Sequence, residues 1–313
     1  MPDIVIAFFV LGLTAGLLKS DLKVPPSIYE TLSIMLMLVL GLKGGMALHG
    51  QYSHAMLEKL IPIALMGLLI PLLLYPLLKR LVRLSQADSV SIAAHYGSVS
   101  AGTFAVVLAL VEFQQLPLSA ETTLYLVVLE LPAIIGMLWL HQKLSGEGST
   151  WSILRESLTS RGVLLLGGGV LIGVLYGPDG LAPLTPVLFG GFKTMLALFL
   201  LEMGLCTARA CSPLPLAQWR LLIFAGVAPF GLAWLGIGLS LWLQLPHGSA
   251  LVLTALAASA SYIAAPAAIR AAIPSANIGL ALLAALGITF PVNVLFGIPV
   301  YQQWLSWFYP LHP

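Results

Sequence analysis

The sequence predicts an all-α integral membrane protein. Ten transmembrane helices form two inverted five-helix repeats, and the fourth and ninth helices are discontinuous and cross at mid-membrane. Three observations predict it. The composition cannot coat a soluble domain, ten apolar stretches alternate with turn signals, and the basic residues crowd onto alternate connections. Of 313 residues, 59% are hydrophobic and 8% are charged, with a mean hydropathy of +1.00. A soluble domain carries roughly 25% charged residues. A bilayer is the solvent this composition fits. A net charge of +2 gives no footing for nucleic acid.

The elements follow in chain order. Residues 3–18 are apolar, with Asp3 as the only early charge. No basic stretch precedes them, so they read as a retained helix rather than a cleaved signal. The run from Lys19 through Asp21 and Lys23 to Pro25-Pro26 closes that segment and leads to 28–48. The third segment, 58–80, ends at Lys79-Arg80 with Arg83 beyond; 89–112 and 121–142 follow. A short polar linker, 143–150, contains Gly146-Glu147-Gly148 and separates a first unit, 1–142, from a second, 151–313. The second unit holds 161–177, 185–208, 217–243, 249–272 and 277–308, with Gly177-Pro178-Asp179-Gly180 as its first turn.

Charge tests this count. Lys43 and Lys193 fall inside segments. Eleven of the other twelve basic residues fall on the odd-numbered connections, and Lys59 alone falls on the opposite side. The positive-inside rule then places the odd connections in the cytoplasm and both termini on the outer, periplasmic side. Five helices per half force the second half to be inverted. Internal similarity runs in the same order: GLKGGMAL (41–48) with LEMGLCTA (201–208), GSVSAGT (97–103) with SASYIAAP (259–266), LELPAIIG (129–136) with ITFPVNVLFG (288–297). Inverted repeats mark secondary transporters.

The fourth and ninth segments are interrupted at corresponding places. Broken helix is tolerated in a membrane only where it lines a cavity or is buried in protein. Pro266 suits a first helical position, and Ser100 suits an N-cap for a second half starting near Gly102-Thr103. Both second halves would then point their N-termini at one central place. Each N-terminus carries about half a positive charge and free N–H donors, so the pair makes an anion site. Ser98, Ser100, Thr103, Ser259 and Ser261 add hydroxyls, while Gly97, Ala101 and Gly102 let backbone approach a small ligand. Helix packing is the competing use of such small residues.

Other polar groups lie within the segments. Glu130 sits two residues before Pro132 and could ligate a cation, carry a proton or stay neutral as a donor. Its counterpart before Pro291 is Thr289, with Asn293 one turn on. These are oxygen types that sodium takes in broken-helix transporters, so Glu130 and Thr289 make a candidate sodium pair, with Ser98, Ser261 and Asn293 as further ion-coupling candidates. Glu202 and Lys43 are expected to be buried with structural roles, and Lys193 to snorkel. His95 and Tyr96 read as packing residues, His49 and His54 as outer-face residues, and Cys206 and Cys211 as structural. Gly167-Gly168-Gly169 reads as membrane packing, since no strand precedes it. No catalytic constellation, metal cluster or cofactor motif is evident, which argues against an enzyme.

These residues resemble a known family. GLKGG (41–45), GSVSAGT followed by VEFQQLP (111–117), LELPAI (129–134) and AASASYIAAPAAIRAAIPSAN (257–277) are similar to motifs of the sodium-dependent bicarbonate transporter family of cyanobacteria and its bacterial homologues of unassigned substrate. The resemblance covers nearly the whole chain. It implies a core domain and a gate domain, a homotrimer in the bacterial inner membrane, and elevator-like motion. It implies bicarbonate between the two broken helices, with sodium beside it as coupling ion. Carried onto this chain, the anion site maps to Gly97, Ser98, Ser100, Thr103, Ser259 and Ser261, and the acidic position of the fifth helix to Glu130, glutamate for aspartate. Tyr262 stands where the bicarbonate carriers have an aspartate, and Ala264 and Ala265 replace a serine and a glycine. The lost carboxylate removes a strong sodium ligand, while the tyrosine fills space and can donate to an anion, so Tyr262 and Gly102 join the substrate-binding candidates. The long linker of the cyanobacterial proteins is reduced here to 143–150, so a nitrogen-regulator-like (PII-like) partner does not carry over by resemblance alone. The expected function is secondary transport of a small anion, bicarbonate first. The alternatives are a membrane anion sensor, a passive anion channel and a proton-coupled carrier of another small carboxylate.

Overall fold

A computed structural model describes residues 4–50, 54–145, 159, 161–211 and 215–309. Most of the expected 143–150 linker lies outside the described residues. All regular structure among the described residues is helical. Seven stretches are long and apolar enough to cross a membrane: Pro26–Leu48, Met56–Val82, Gln86–Phe113, Ala120–Ser145, Arg161–Phe189, Leu216–Trp242 and Ile278–Leu305. Three further helical regions are shorter or more polar. They are α1 (Ile4–Leu17), α8 (Phe192–Ala210), which carries Lys193, Glu202 and Arg209, and the pair α10 (His247–Ala257) and α11 (Ala264–Ala272).

The remaining elements are α2 (Pro26–Leu48), α3 (His54–Leu77), α4 (Gln86–Gly97), α5 (Ala101–Phe113), α6 (Leu124–Ser145), α7 (Arg161–Leu181), α9 (Trp219–Trp242) and α12 (Ile278–Leu305). Pro26 starts α2 at a position whose N–H has no partner in any helix. Ser85 caps α4, its Oγ accepting from the Asp88 amide at 3.0 Å. The turn expected at 177–180 is instead a kink inside α7. Gly177 takes φ +63 ahead of Pro178, and a Cβ there would meet the His49 ring at 2.7 Å. Around Pro291, α12 widens into π turns at Leu283–Thr289 and Asn293–Gly297.

Among the helix pairs that pack at backbone contact are α2 with α7 and α1 with α8. In α2 and α7, a Cβ on Gly45 would lie 2.6 Å from Gly173 Cα, and one on Gly169 would lie 3.0 Å from Gly41 Cα. In α1 and α8, a Cβ on Gly204 would lie 2.5 Å from the Leu13 amide, and Gly16 faces the Ala208 methyl. Small residues spaced by four let helices approach this closely. Gly41 and Gly45 of α2 thus pack on α7 as Gly204 and Ala208 of α8 pack on α1. Of the three consecutive glycines, Gly169 packs, while Gly167 and Gly168 face open space.

Three ion pairs are formed among the described residues. Lys43 meets Glu112 at 3.0 Å, Lys59 meets Glu121 at 2.9 Å, and Arg209 meets Glu202. Glu202 is buried as expected. Lys43 is not: its side chain is 20% exposed, because it reaches the end of α5 and its carboxylate rather than staying inside α2. Lys193 begins α8 and lies over the Phe113 ring. His49 is exposed and its Nδ1 donates to the Val174 carbonyl at 2.7 Å.

Candidate functional site

The two interruptions are bonded to each other. The Ser100 amide donates to Ser259 Oγ at 2.8 Å, and the Ser261 amide donates to the His95 carbonyl at 2.6 Å. Four residues from two distant segments thus tie the end of α4 and the start of α5 to the strand of chain between α10 and α11. The Ser259 hydroxyl in turn donates to the Leu256 carbonyl at 2.8 Å.

Local chemistry explains both restarts. Ser100 is the N-cap of α5, its Oγ accepting from the Thr103 amide at 3.0 Å. Such a cap stabilises by about 1 kcal/mol. Ser261 does related work for α11, its Oγ accepting from the Ala265 amide at 3.2 Å. The second half-helix starts at Ala264, two residues earlier than Pro266 suggests, so the proline sits inside the first turn, where its missing N–H leaves no bond unmade. Between α4 and α5, Val99 adopts φ +47. A β-branched residue in the left-handed region is strained by roughly 1–3 kcal/mol and persists only where surroundings enforce it.

Both N-termini border the same small space. A cavity with room for about one water is lined by Val99 and Ala101 of the first break, Ser261, Tyr262, Ile263 and Ala264 of the second, and Glu130 of α6. A neighbouring cavity is lined by Ala101, Gly102 and Ile263, and is closed by Ser33, Leu36, Met37 and Leu40 of α2 and Phe199 of α8. The glycine-packed helices therefore cover the crossing.

Two residues that line this space, Glu130 at Oε1 and Tyr262 at Oη, carry buried polar atoms without a hydrogen-bond partner, and Ser98 Oγ, Thr103 Oγ1 and His95 Nε2, on residues of α4, α5 and the break between them, are likewise unpaired. Glu130 is 4% exposed, its Oε1 lies against Gly162 of α7, and it lines the cavity together with Ala264 of α11. The Tyr262 hydroxyl rests against Gly102, where any Cβ would collide with it, and its ring packs edge-on to Phe290 at 5.3 Å. Buried polar groups normally find partners, so this cluster fits a polar guest at two positive helix ends.

Not every candidate residue faces this space. Gly97 packs instead: a Cβ there would lie 2.6 Å from Ala133 Cβ and 2.7 Å from Pro71. Thr289 and Asn293 lie in a second polar cluster. The Thr289 hydroxyl donates to the Ala225 carbonyl at 2.8 Å and accepts from the Tyr96 hydroxyl at 2.6 Å. Asn293 donates to the Ala258 carbonyl at 2.8 Å and accepts from Tyr301 at 2.7 Å. No hydrogen bond joins Glu130 to Thr289 among the described residues. Each faces a different broken helix, Glu130 the start of α11 and Thr289 the end of α4. Sequence reasoning placed Tyr96 and His95 in packing. Tyr96 does bridge to α12, whereas His95 also lends its carbonyl to Ser261 and holds Nε2 unpaired while Nδ1 donates to Ser91. The strain at Val99 has no signal in residue type.

No group of three or more His, Cys, Asp or Glu side chains able to hold a metal ion occurs among the described residues. No curated protein matches the chain. The model of one protein family matches residues 4–306. The chain belongs to the Na+-dependent bicarbonate transporter superfamily, which makes it a membrane transporter and not an enzyme.

Proposed function

We propose that this chain is a secondary active transporter of a small anion, bicarbonate first, which binds where the two broken helices cross and is driven by sodium through elevator-like alternating access. The observation that carries the reading is the crossing itself. Two helix N-termini, one capped by Ser100 and the other held by a bond from the Ala265 amide to Ser261 Oγ, border one small space where Glu130 Oε1 and Tyr262 Oη lack partners. Tyr262 lines that space and Gly102 abuts it, and with Ser98 and Thr103 of the first break they are the groups proposed to meet the anion. Ser100, Ser259 and Ser261 hold the two breaks in register.

The ten-crossing inverted architecture belongs to the same proposal, with units 1–142 and 151–313. The equivalent glycine packing of α1 on α8 and of α7 on α2 supports it. So do the end-to-end contacts. The Gly248 amide donates to the Pro117 carbonyl at 3.0 Å, and the Asn277 amide donates to Asp88 Oδ1 at 2.7 Å. Each contact joins connections that the charge count assigns to one side. In this reading α1, α2, α7 and α8 form the gate and the broken helices belong to the moving core. A trimer in the bacterial inner membrane, with termini outside, completes the proposal.

Uptake of radiolabelled bicarbonate into proteoliposomes under imposed sodium, proton or no gradient tests it. Sodium-driven uptake by the wild type is the expected result. Glu130→Gln is expected to bring gradient-driven uptake to the level of empty liposomes, because an amide cannot balance a cation or carry a proton. Proton-driven uptake lost with the same substitution would replace sodium coupling by proton coupling. Unchanged coupling in Glu130→Gln would remove that carboxylate from the mechanism. Absence of bicarbonate uptake by folded protein under every gradient would overturn the substrate.

A further inference from the structure

An apolar slot on the outside of the bundle has no part in the proposed transport site. It opens between the last turns of α3 and the first turns of α9 and has a volume of about 690 Å³. Leu73, Leu77, Ile223 and Val227 line it, and all four are exposed. Arg80, Arg83 and Arg220 line the same slot. Among the described residues none of these guanidiniums has a carboxylate within ion-pair distance. The Arg220 guanidinium lies 5.2 Å from the Trp219 ring, which also lines the slot. Arg83 caps the π turn Leu78–Val82 that continues α3, in the left-handed conformation, φ +65, its amide donating to the Leu78 carbonyl.

Hydrocarbon wall with three unpaired cations and a tryptophan is an amphipathic pattern. Any acyl chain fits the wall, but the cations discriminate between headgroups. Guanidinium matches phosphate oxygens in a planar fork, and each basic residue near the surface adds attraction for anionic lipid. We propose that this slot binds one anionic phospholipid. Its phosphate sits on Arg80, Arg83 and Arg220, and an acyl chain lies along Leu73, Leu77, Ile223 and Val227.

The slot also reaches toward the crossing. Phe224 lines it, and its ring packs edge-on to Tyr96 at 5.2 Å. Tyr96 precedes Gly97 at the end of α4 and bonds to Thr289, which in turn bonds to α9 at Ala225. A lipid here braces α3 against α9 beside that cluster.

Native mass spectrometry and thermal unfolding of the purified full chain in mild detergent test the proposal, with phosphatidylglycerol, phosphatidylcholine and inorganic phosphate as probes. One phosphatidylglycerol is expected to stay bound and raise the Tm, while phosphatidylcholine and inorganic phosphate do neither. Arg80→Gln/Arg83→Gln/Arg220→Gln is expected to weaken retention about a hundredfold, roughly one electrostatic increment per arginine. Gly231→Phe lines the slot from a position with open space around it and leaves the arginines in place. It is expected to lose the lipid even if the triple variant fails to fold. Lys19→Gln/Lys23→Gln is the control that keeps it. Equal retention of phosphatidylcholine, stabilisation by inorganic phosphate alone, or undiminished lipid in both the triple variant and Gly231→Phe would each overturn the site.

Discussion

The α1–α8 and α2–α7 pairs and the α4–α5/α10–α11 crossing use the same residue types for different ends. In the glycine-packed pairs, Gly12, Gly41, Gly45, Gly169, Gly173 and Gly204 bring backbone onto backbone within continuous helices. Unpaired buried polar atoms beside these helices are Glu202 Oε2 of α8 and Thr123 Oγ1 against Gly44 of α2, and neither lies on those backbone contacts. At the crossing, small residues sit where the helix stops. They expose amides, force Val99 to positive φ, and leave Ser98, Thr103, Glu130 and Tyr262 with unmade hydrogen bonds. Small residues by themselves do not separate a packing seam from a binding site. The balance of polar atoms does, because a seam satisfies its backbone internally and a site holds donors and acceptors in reserve.

The largest effect expected from breaking the comparison lies on the packing side. Gly204→Leu drives a branched side chain into the backbone of α1 at Leu13 and Gly12. A destabilisation of about 4 kcal/mol or more is expected, since backbone cannot yield as a side chain can. Thermal unfolding in detergent reads it, and a variant with wild-type Tm would refute the seam.

A smaller effect, with a signature, is expected at the crossing. Gly102→Ala puts a methyl where the Tyr262 hydroxyl rests. Alone it is expected to destabilise by roughly 1–3 kcal/mol. Tyr262→Phe removes the colliding oxygen. The double variant is therefore expected to recover about 1 kcal/mol or more of the single loss. A double-mutant cycle in thermal unfolding measures the coupling, and additivity would place Tyr262 away from Gly102.

The smallest effects sharpen the contrast between structural and reserved hydroxyls. Ser100→Ala loses the cap on Thr103 and is expected to lower stability by about 1 kcal/mol. Thr103→Val removes a hydroxyl that bonds nothing, so stability is expected to change by less than about 0.5 kcal/mol. Anion binding is expected to fall in Thr103→Val all the same. Unfolding curves and substrate-induced shifts in Tm, compared between the two variants, separate a cap from a ligand. Equal effects on both readouts would erase the distinction.

Much of the helical scaffold and both breaks were legible from the chain alone. Hydropathy and turn residues report whether a segment prefers lipid or water, and that preference is local. The serine at position 100 signals its own cap because an N-cap bond spans three residues. Tertiary structure decided the rest, because it depends on how closely separate helices approach. It set Gly41 and Gly45 against α7 and Gly204 and Ala208 against α1, contacts that no single segment reveals. It sent Lys43 out to Glu112 and turned Gly97 toward Ala133. It satisfied Thr289 and Asn293 with Tyr96 and Tyr301 while leaving Glu130 Oε1 unpaired. Sequence determined where this chain crosses lipid and where its helices must stop, since both are properties of neighbouring residues. Only the packed helices decided which polar atoms are consumed by the fold and which are left without a partner, since that is a property of distance between segments.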